Sequence, residues 1–346
     1  MRRSTRSANT FTAIFLNIIL IIQALLVLYP IAFTISSAFS KADSLNAVSI
    51  VPFPSEVRRK VITVEQQVLD WNDEPVFDEE GNPVMEEVED VARDANGDPI
   101  YETIYRPSLY QFRRLLTDSQ SQVKGAAPGV HGTNYLKWYG NTLKIAIMNT
   151  ILTVIICSTA GYVFSRFKFP FKKPIMAGMI ILQMFPSFIG MIATYVILWK
   201  LNALNTHWGL VLVYATGNIP YNSWLMKGYY DTVSKDIAEA AYVDGCTPFQ
   251  TYVKIILPTV KPQLVFLTLT SFTGPWMDFI FPKLILRSDD KKTLAVGLYE
   301  MINGQAANNY TMFAAGALLV AIPFVIIFLA GQKQLLISLA GTSGKE

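Results

Sequence analysis

The sequence has few of the side chains on which catalysis and disulfide scaffolds depend. Its 346 residues include only two cysteines and two histidines, and charged residues make up 16%. Cys157 and Cys246 cannot supply a disulfide framework. His131 and His207 lie outside any metal-like cluster, and no glycine-rich phosphate loop ending in Gly-Lys-Ser/Thr occurs. We therefore expect no metal site, no ATP hydrolysis and no nucleophilic catalysis in this chain.

Apolar residues, in contrast, are abundant and arranged in long blocks. They form 51% of the chain, more than is usual for a soluble domain. About 20 apolar residues cross a bilayer as a helix, and lipid admits only helices or closed barrels. The pattern therefore predicts an all-α polytopic membrane protein of six transmembrane helices, near 11–38, 142–164, 174–199, 207–226, 263–282 and 312–332.

The first apolar block superficially resembles a secretory signal, because it follows Arg2, Arg3 and Arg6. Its apolar stretch is longer than the core of a usual signal peptide. We therefore expect it to remain as an uncleaved first span.

Charge distribution predicts the orientation of the spans. Lysine and arginine cluster in the N-terminus, in 165–173, in 228–262 and near the C-terminus, so the positive-inside rule places both termini in the cytoplasm. Residues 41–137 hold 17 of the 26 acidic and 10 of the 29 basic residues, a net charge of −7 against +10 elsewhere. We expect a multi-pass protein of the cell membrane with this acidic segment outside.

The long external segment contains an internal repeat. Phe77–Glu86 matches Arg93–Glu102 at a spacing of sixteen residues, and each copy has a glycine-centred turn typical of hairpins. We predict a small β-rich extracellular insert at about 55–106. Two roles remain open for it: a platform that captures an external binding protein, or a solvated spacer or brace.

These observations divide the chain into four segments. They are the N-terminus with the first span at 1–40, the external segment at 41–137, the membrane core at 138–333 and a cytoplasmic tail at 334–346.

The polar segment 228–262 separates two apolar spans and predicts two short helices. Ser234 can cap the first helix, and Gly245 supplies a left-handed break. Thr247 can cap the second helix, with Pro248 at its first position and Gln250 completing a capping box.

The second helix is expected to be amphipathic. Phe249, Tyr252, Val253 and Ile256 recur at the spacing of one apolar face, and Pro258 should end the helix. From these residues alone, docking of a partner competes with an ordinary loop lying on the membrane surface.

The order of residues in this segment resembles the signature loop of permease subunits of binding-protein-dependent ABC importers. That resemblance implies a coupling helix that docks into a cleft of an ATP-binding subunit, and we call residues 228–262 the coupling loop. The matching residues are Glu239, Ala240, Ala241, Asp244, Gly245, Ile255, Leu257 and Pro258.

Three further motifs resemble the maltose/maltodextrin-type permease of the smaller, six-span kind. They are Gln183–Pro186, Leu204–Gly209 and Thr293–Leu298. The resemblance implies a second permease subunit, two ATP-binding subunits that bind ATP and Mg, an external solute-binding protein and an oligosaccharide substrate. It implies no cofactor in this chain and no nucleic acid. Another sugar or a polyol phosphate is the alternative substrate, and a membrane-anchored receptor with an extracellular domain is a distant alternative function.

Polar and aromatic residues inside the spans are candidates for a substrate pathway, because such residues in lipid line a cavity or bond to neighbouring helices. Breaks in the third span at Pro186 and Gly190, and in the fourth at Gly217 and Pro220, would be typical of transport sites. The pathway candidates are Asn149, Gln183, Phe185, Asn218, Tyr221, Asn222, Trp224, Thr270, Ser271, Trp276 and Asp278.

Overall fold

A computed structural model of the chain describes residues 2–42, 56–68, 75–78, 81–94, 96–124, 129, 131–303 and 309–343. The chain forms two compact units. One comprises Met1–Arg114 with Gln305–Leu318, and the other comprises Leu115–Gly304 with Leu319–Glu346. The boundaries of the four predicted segments stay predictions.

The first unit contains a long helix and the strands of the predicted insert. Helix α1 spans Arg2–Ala38. Strands β1 (Glu56–Arg59) and β4 (Tyr101–Ile104) pair antiparallel, with Glu56 opposite Ile104. Strands β2 (Val61–Gln67) and β3 (Met85–Val91) pair in the same sense, with Val61 opposite Val91. The small β-rich insert is therefore confirmed.

The repeated sequences form turns within this insert. Gly81 and Gly97 have φ values of +82° and +86°, which glycine adopts without steric penalty. The amide of Gly81 donates to the carbonyl of Asp78, and the amide of Gly97 donates to the carbonyl of Asp94, at 3.1 and 3.0 Å. Residues 79, 80 and 95 of the two copies lie outside the described residues.

Two backbone junctions connect the turns to the paired strands. In each junction three residues exchange three amide-to-carbonyl hydrogen bonds of 2.7–2.9 Å, which closes a ring. The junction residues recur every eight positions, half the repeat found in the sequence. They are Lys60, Ala92 and Ile100 in one junction, and Val68, Val76 and Val84 in the other.

Helices make up most of the remaining chain. A short helix α2 covers Tyr110–Leu116. The longer helices are α3 (Tyr135–Arg166), α4 (Lys172–Gln183), α5 (Ser187–Lys200), α6 (His207–Thr232), α7 (Lys235–Val243), α10 (Lys261–Met277), α12 (Leu294–Asn303) and α13 (Tyr310–Ser343). Between them lie α8 (Pro248–Gln250), a π-helix (Thr251–Ile256), α9 (Leu257–Thr259), α11 (Ile280–Ile285) and a 3₁₀ turn (Asp289–Lys291).

Three of the described helices are long and apolar enough to cross a membrane, or up to five if each bent helix pair forms one span. They fall in the first, second and last predicted spans, while the two bent pairs cover the third and fifth. Helix α6 covers the fourth predicted span with 26 residues, but it is not among the helices that pass on length and apolarity. An all-α membrane fold with a small β insert is thus confirmed.

The predicted helix breaks have different outcomes. The third span is broken at Pro186 as expected, since α4 ends at Gln183 and α5 begins at Ser187, but α5 continues through Gly190, so a break at that residue was wrong. The break predicted at Gly217 and Pro220 was wrong, because α6 continues through both residues. Proline is tolerated inside membrane helices where neighbouring groups satisfy the freed backbone carbonyl.

Helix α3 packs closely against α6 along the core of the second unit. A Cβ added at Gly161 would lie 2.6 Å from Cβ of Met226, so only glycine permits this approach. Around this close approach, Cys157, Tyr162, Tyr230 and Ile256 belong to one buried apolar cluster. The cluster joins α3 and α6 to the coupling loop, and therefore positions that loop.

Candidate functional site

The first helix of the coupling loop has the ends that its sequence predicts. The hydroxyl of Ser234 accepts a hydrogen bond from the amide of Asp236 at 3.2 Å. At the other end, Gly245 has φ +83°. Its amide donates to the carbonyl of Tyr242 and the amide of Cys246 donates to the carbonyl of Ala241, at 3.1 and 2.9 Å. This pair of bonds is a Schellman motif, which turns the chain sharply after α7.

The second helix begins with the predicted capping box. The amide of Gln250 donates to Oγ1 of Thr247 at 3.3 Å, and the amide of Thr247 donates to Oε1 of Gln250 at 2.9 Å. The helix then widens into a π-helix over Thr251–Ile256. Pro258 does not end the helix as predicted, because the short helix α9 continues to Thr259. The helix nevertheless ends one residue after Pro258, with Val260 as its C-cap.

The predicted single apolar face of this second helix was also wrong. Ile256 is completely buried and Tyr252 is half-buried, but Phe249 is 73% exposed and Val253 is 39% exposed. A π-helix has more residues per turn than the α-helix assumed in the prediction. The four side chains are therefore not buried alike, since only Tyr252 and Ile256 pack towards the core.

The signature residues fall into an exposed set and a buried set. Ala241 is 3% exposed and packs inward from α7, while Ile255 and Leu257 are half-buried. The exposed residues are Glu239, Ala240, Asp244, Gly245 and Pro258.

Two large apolar side chains accompany these exposed residues. Val243 is 88% exposed and Phe249 is 73% exposed, on either side of the turn at Gly245. Within the part of the chain that the structure describes, the carboxylates of Glu239 and Asp244 have no hydrogen-bond or ion-pair partner. The loop therefore presents apolar and acidic groups together on a surface that the chain itself leaves uncovered.

The pathway candidates on α6 differ in exposure. Tyr221 and Trp224 are 51% and 48% exposed, and with Gly217 and Gly228 they form one stripe along the helix. Asn218, beside this stripe, is half-buried. Asn222 is 8% exposed, and its amide donates to the carbonyl of Asn218 at 3.0 Å. The exposed stripe thus consists of two aromatic residues and two glycines, and the two asparagines are more buried.

The candidates on α4 and α10 are mostly exposed. Gln183 is exposed, and its amide donates to the carbonyl of Gly217 at 3.0 Å, while Phe185 is 67% exposed. Thr270 belongs to an exposed stripe of α10 that also contains Phe266, and its hydroxyl donates to the carbonyl of that residue at 3.1 Å. These side chains remain candidates for a pathway.

Three candidates are buried among their neighbours. The amide of Asn149 donates to the carbonyl of Ser271 at 2.7 Å, which ties α3 to α10. The ring of Trp276 is 5% exposed and meets the ring of Tyr139 edge-on, with centroids 5.2 Å apart. Ser271 is also buried. The contacts of Asn149 and Trp276 serve helix packing, and their assignment to a pathway stays a prediction.

Asp278 lies where α10 ends. Its carboxylate accepts hydrogen bonds from the hydroxyl of Tyr214 at 2.8 Å and from the amide of Phe281 at 3.3 Å. The residue therefore connects α6 to the start of α11.

Sequence reasoning did not find a bonded cluster around the 3₁₀ turn. The indole of Trp138 donates to the carbonyl of Asp289 at 2.9 Å, and the amide of Asn141 donates to the carbonyl of Asp290 at 2.8 Å. His207 shares a 3.0 Å hydrogen bond with the carbonyl of Lys291. The motif Leu204–Gly209, which contains Asn205 and His207, is the sequence signal that could have pointed to this cluster. The contact of His207 shows a structural role for the motif.

Ion pairs reinforce the same cluster. Glu300 pairs with Lys283 and, at 2.6 Å, with Lys292. Partial burial alone would raise the pKa of Glu300, but the hydrogen bonds from the two lysines outweigh it and hold the pKa below its ordinary value. The segment between α11 and α12 is therefore fixed by both charge and backbone contacts.

The fold and the site together define a helical membrane protein that carries an exposed helix–turn–helix between α6 and α10. Residues 153–335 match the family of binding-protein-dependent transport system inner membrane components, and the chain belongs to this family. It is accordingly a transport component of the ABC permease type and not an enzyme.

Relatives of known function indicate which transport components the chain resembles. The chain is 41% identical over 214 residues to the maltodextrin transport system permease protein MdxG of Bacillus subtilis (strain 168), covering 61% of this chain and 77% of that protein. It is 38% identical over 218 residues to the galactooligosaccharides transport system permease protein GanQ of the same strain, covering 62% and 77%. It is 36% identical over 208 residues to the maltose/maltodextrin transport system permease protein MalG of Escherichia coli (strain K12), covering 58% and 69%.

A solved structure shares the fold over nearly the whole length. A bacterial ABC transporter involved in the import of the acidic polysaccharide alginate covers 96% of this chain and 97% of its own, with a TM-score of 0.63 and 19% identity. The chain thus resembles sugar permeases of the maltose type in sequence, and it shares its fold with the chain of the alginate transporter.

Proposed function

We propose that this chain is one permease subunit of an ATP-driven importer that moves maltodextrin or a related oligosaccharide by alternating access. A second permease subunit completes the pathway, two ATP-binding subunits bind ATP and Mg, and an external solute-binding protein delivers the sugar. Both chain termini lie in the cytoplasm and the β insert lies outside.

The observation that carries this proposal is the uncovered surface of the coupling loop. Val243 and Phe249 expose large apolar side chains in the same loop as the carboxylates of Glu239 and Asp244, which have no partner among the described residues. An apolar centre with charges around it is the composition of a protein interface. Because the loop also joins α6 to α10, a partner that moves the loop would tilt both helices and switch access.

The exposed stripes of α6 and α10 support an uncharged oligosaccharide as the substrate. The stripe of α6 contains Tyr221 and Trp224, and aromatic rings suit contact with sugar rings, while the stripe of α10 contains Thr270. The positions that make up these stripes contain no lysine or arginine, the side chains that bind phosphate. This composition favours a neutral sugar over a polyol phosphate.

A galactooligosaccharide is the second candidate substrate, because a galactooligosaccharide permease is 38% identical to this chain and the maltodextrin permease is 41% identical. The experiment is uptake by proteoliposomes that contain the full transporter and its binding protein. A maltodextrin, a galactooligosaccharide and a polyol phosphate, each labelled, are tested in separate uptake assays, and we expect ATP-dependent uptake of the maltodextrin. ATP-dependent uptake of the galactooligosaccharide alone would reassign the sugar, and the absence of ATP-dependent uptake of all three would contradict the proposal.

A further inference from the structure

Three hydroxyl groups meet in the core of the second unit, next to the coupling loop. Oγ of Ser158 lies 2.7 Å from the hydroxyl of Tyr230 and 2.8 Å from the hydroxyl of Tyr252. Ser158 belongs to α3, Tyr230 to α6 and Tyr252 to the π-helix of the coupling loop. One hydroxyl cluster therefore connects the loop directly to two helices of the membrane core.

The π-helix accounts for the inward position of Tyr252. Thr251 and Ile256 are five residues apart, and both are completely buried. In an α-helix, residues five apart would point about 140° away from each other. A π-helix bonds each residue to the fifth one along, which places such residues on one side. Tyr252 follows Thr251 and is carried towards the core with it.

Aromatic packing holds the cluster together. The ring of Tyr162 lies 4.6 Å from the ring of Tyr252 and 5.7 Å from the ring of Tyr230, measured between centroids. Arg166 then fastens the ends of α3 and α6, since its Nη2 donates to the carbonyls of Tyr230 and Val233 at 3.0 and 2.7 Å. The two helices are thus joined just before the coupling loop begins.

The directional hydrogen bonds of this cluster restrict sliding of the loop against α3 and α6 more than apolar contacts do. Packed apolar side chains allow neighbouring elements to slide past each other, whereas a buried hydroxyl that loses its partner is left unsatisfied. Tyr230 is completely buried and Ser158 is 2% exposed, so water does not readily replace the missing partner. The cluster therefore favours a single arrangement of the loop relative to α3 and α6.

We infer that Ser158, Tyr230 and Tyr252 are positioning residues that make the coupling loop, α3 and α6 move as one body when ATP-binding subunits move the loop. This inference rests on the proposed ATP-driven transport. The inference adds which residues transmit the movement of the coupling loop to α3 and α6.

The first test compares Tyr252→Phe and Ser158→Ala with wild type in the reconstituted transporter. The ratio of sugar transported to ATP hydrolysed is the readout, because a general loss of folding would lower both activities and leave their ratio unchanged. We expect the ratio to fall roughly tenfold, in line with the loss of one buried hydroxyl contact. Tyr229→Phe is the matched control, since Tyr229 precedes Tyr230 on α6 but is 36% exposed. An unchanged ratio in both variants would overturn the inference.

The second test does not depend on the choice of sugar. Spin labels are placed at Ile237 in the coupling loop, away from the docking residues Val243 and Phe249, and at Leu212 on α6; both positions are exposed, and the background is Cys157→Ala and Cys246→Ser. With ATP-binding subunits present, nucleotide should leave the distance between the labels unchanged in wild type and change it in Tyr252→Phe. A distance that changes equally in both proteins would overturn the inference even if uptake is normal. Failure of uptake with the expected distances would instead count against the proposed sugar transport.

Discussion

Substitution of Gly245 should impair transport in an order set by backbone conformation and not by side-chain size. The residue has φ +83°, and its amide completes the turn by donating to the carbonyl of Tyr242. A Cβ added at this position would meet nothing within 4 Å. The space around Gly245 would therefore accept a larger residue, and the left-handed φ is what restricts the choice of residue.

The expected magnitudes follow from this conformation. For a residue other than glycine, the left-handed conformation costs roughly 1–2 kcal/mol of conformational free energy, and asparagine tolerates it better than alanine. Gly245→Ala should thus lower the ratio of native to rearranged loop by roughly 5- to 30-fold. Proline fixes φ near −65° and has no amide hydrogen, so Gly245→Pro cannot form the turn at all.

The assay is binding-protein-stimulated ATPase activity and sugar uptake in proteoliposomes, with the amount of inserted permease measured separately. We expect both activities to decline in the order glycine, asparagine, alanine, proline, with proline abolishing transport at a normal membrane level. Full transport by Gly245→Pro would refute the role of the turn. Alanine that performs better than asparagine would refute the argument from φ.

Three other changes give separate expectations. Glu239→Lys should abolish transport while the protein still inserts, because it reverses an exposed charge on the coupling loop; uptake equal to that of wild type would count against docking there. Gly297→Ala should lower the stability of the purified complex by about 1–3 kcal/mol, because the new methyl group would overlap the ring of Trp138; an unchanged melting temperature would contradict this packing. Deletion of residues 57–105 should reduce ATPase stimulation by the binding protein if the insert is a docking platform, and normal stimulation after deletion would rule out that role.

Local chemistry explains which parts of the fold could be predicted from the sequence. The caps at Ser234 and Thr247 and the turn at Gly245 depend on residues within four positions of each, so the sequence contains all the information they need. The apolar blocks are equally local, because their helices form from residues within each block; the third block forms two helices, α4 and α5. The junctions of the insert, whose residues recur every eight positions, form only when distant strands pair. The sequence showed a repeat of sixteen residues, which is twice that spacing.

Tertiary contacts explain what could not be predicted. The π-helix brings Tyr252 into contact with Ser158, 94 positions earlier in the chain, and such a distant partner is not visible in the local sequence. The uninterrupted helix at Pro220 likewise depends on its surroundings. Asn149 and Tyr221 looked equivalent as candidates within the spans, yet the first bonds to α10 and the second is 51% exposed. Hydropathy cannot distinguish a helix face that meets another helix from one that remains open.

The most direct test of the account is photo-crosslinking from the coupling loop in the assembled transporter. A benzophenone amino acid replaces Val243, which is 88% exposed, and a second variant carries it at Ile326 on α13, which is 61% exposed. We predict that Val243→benzoylphenylalanine crosslinks to an ATP-binding subunit and that the variant at Ile326 does not. Crosslinking from Ile326 alone, or from neither position, would contradict the claim that the coupling loop receives the ATP-driven motion.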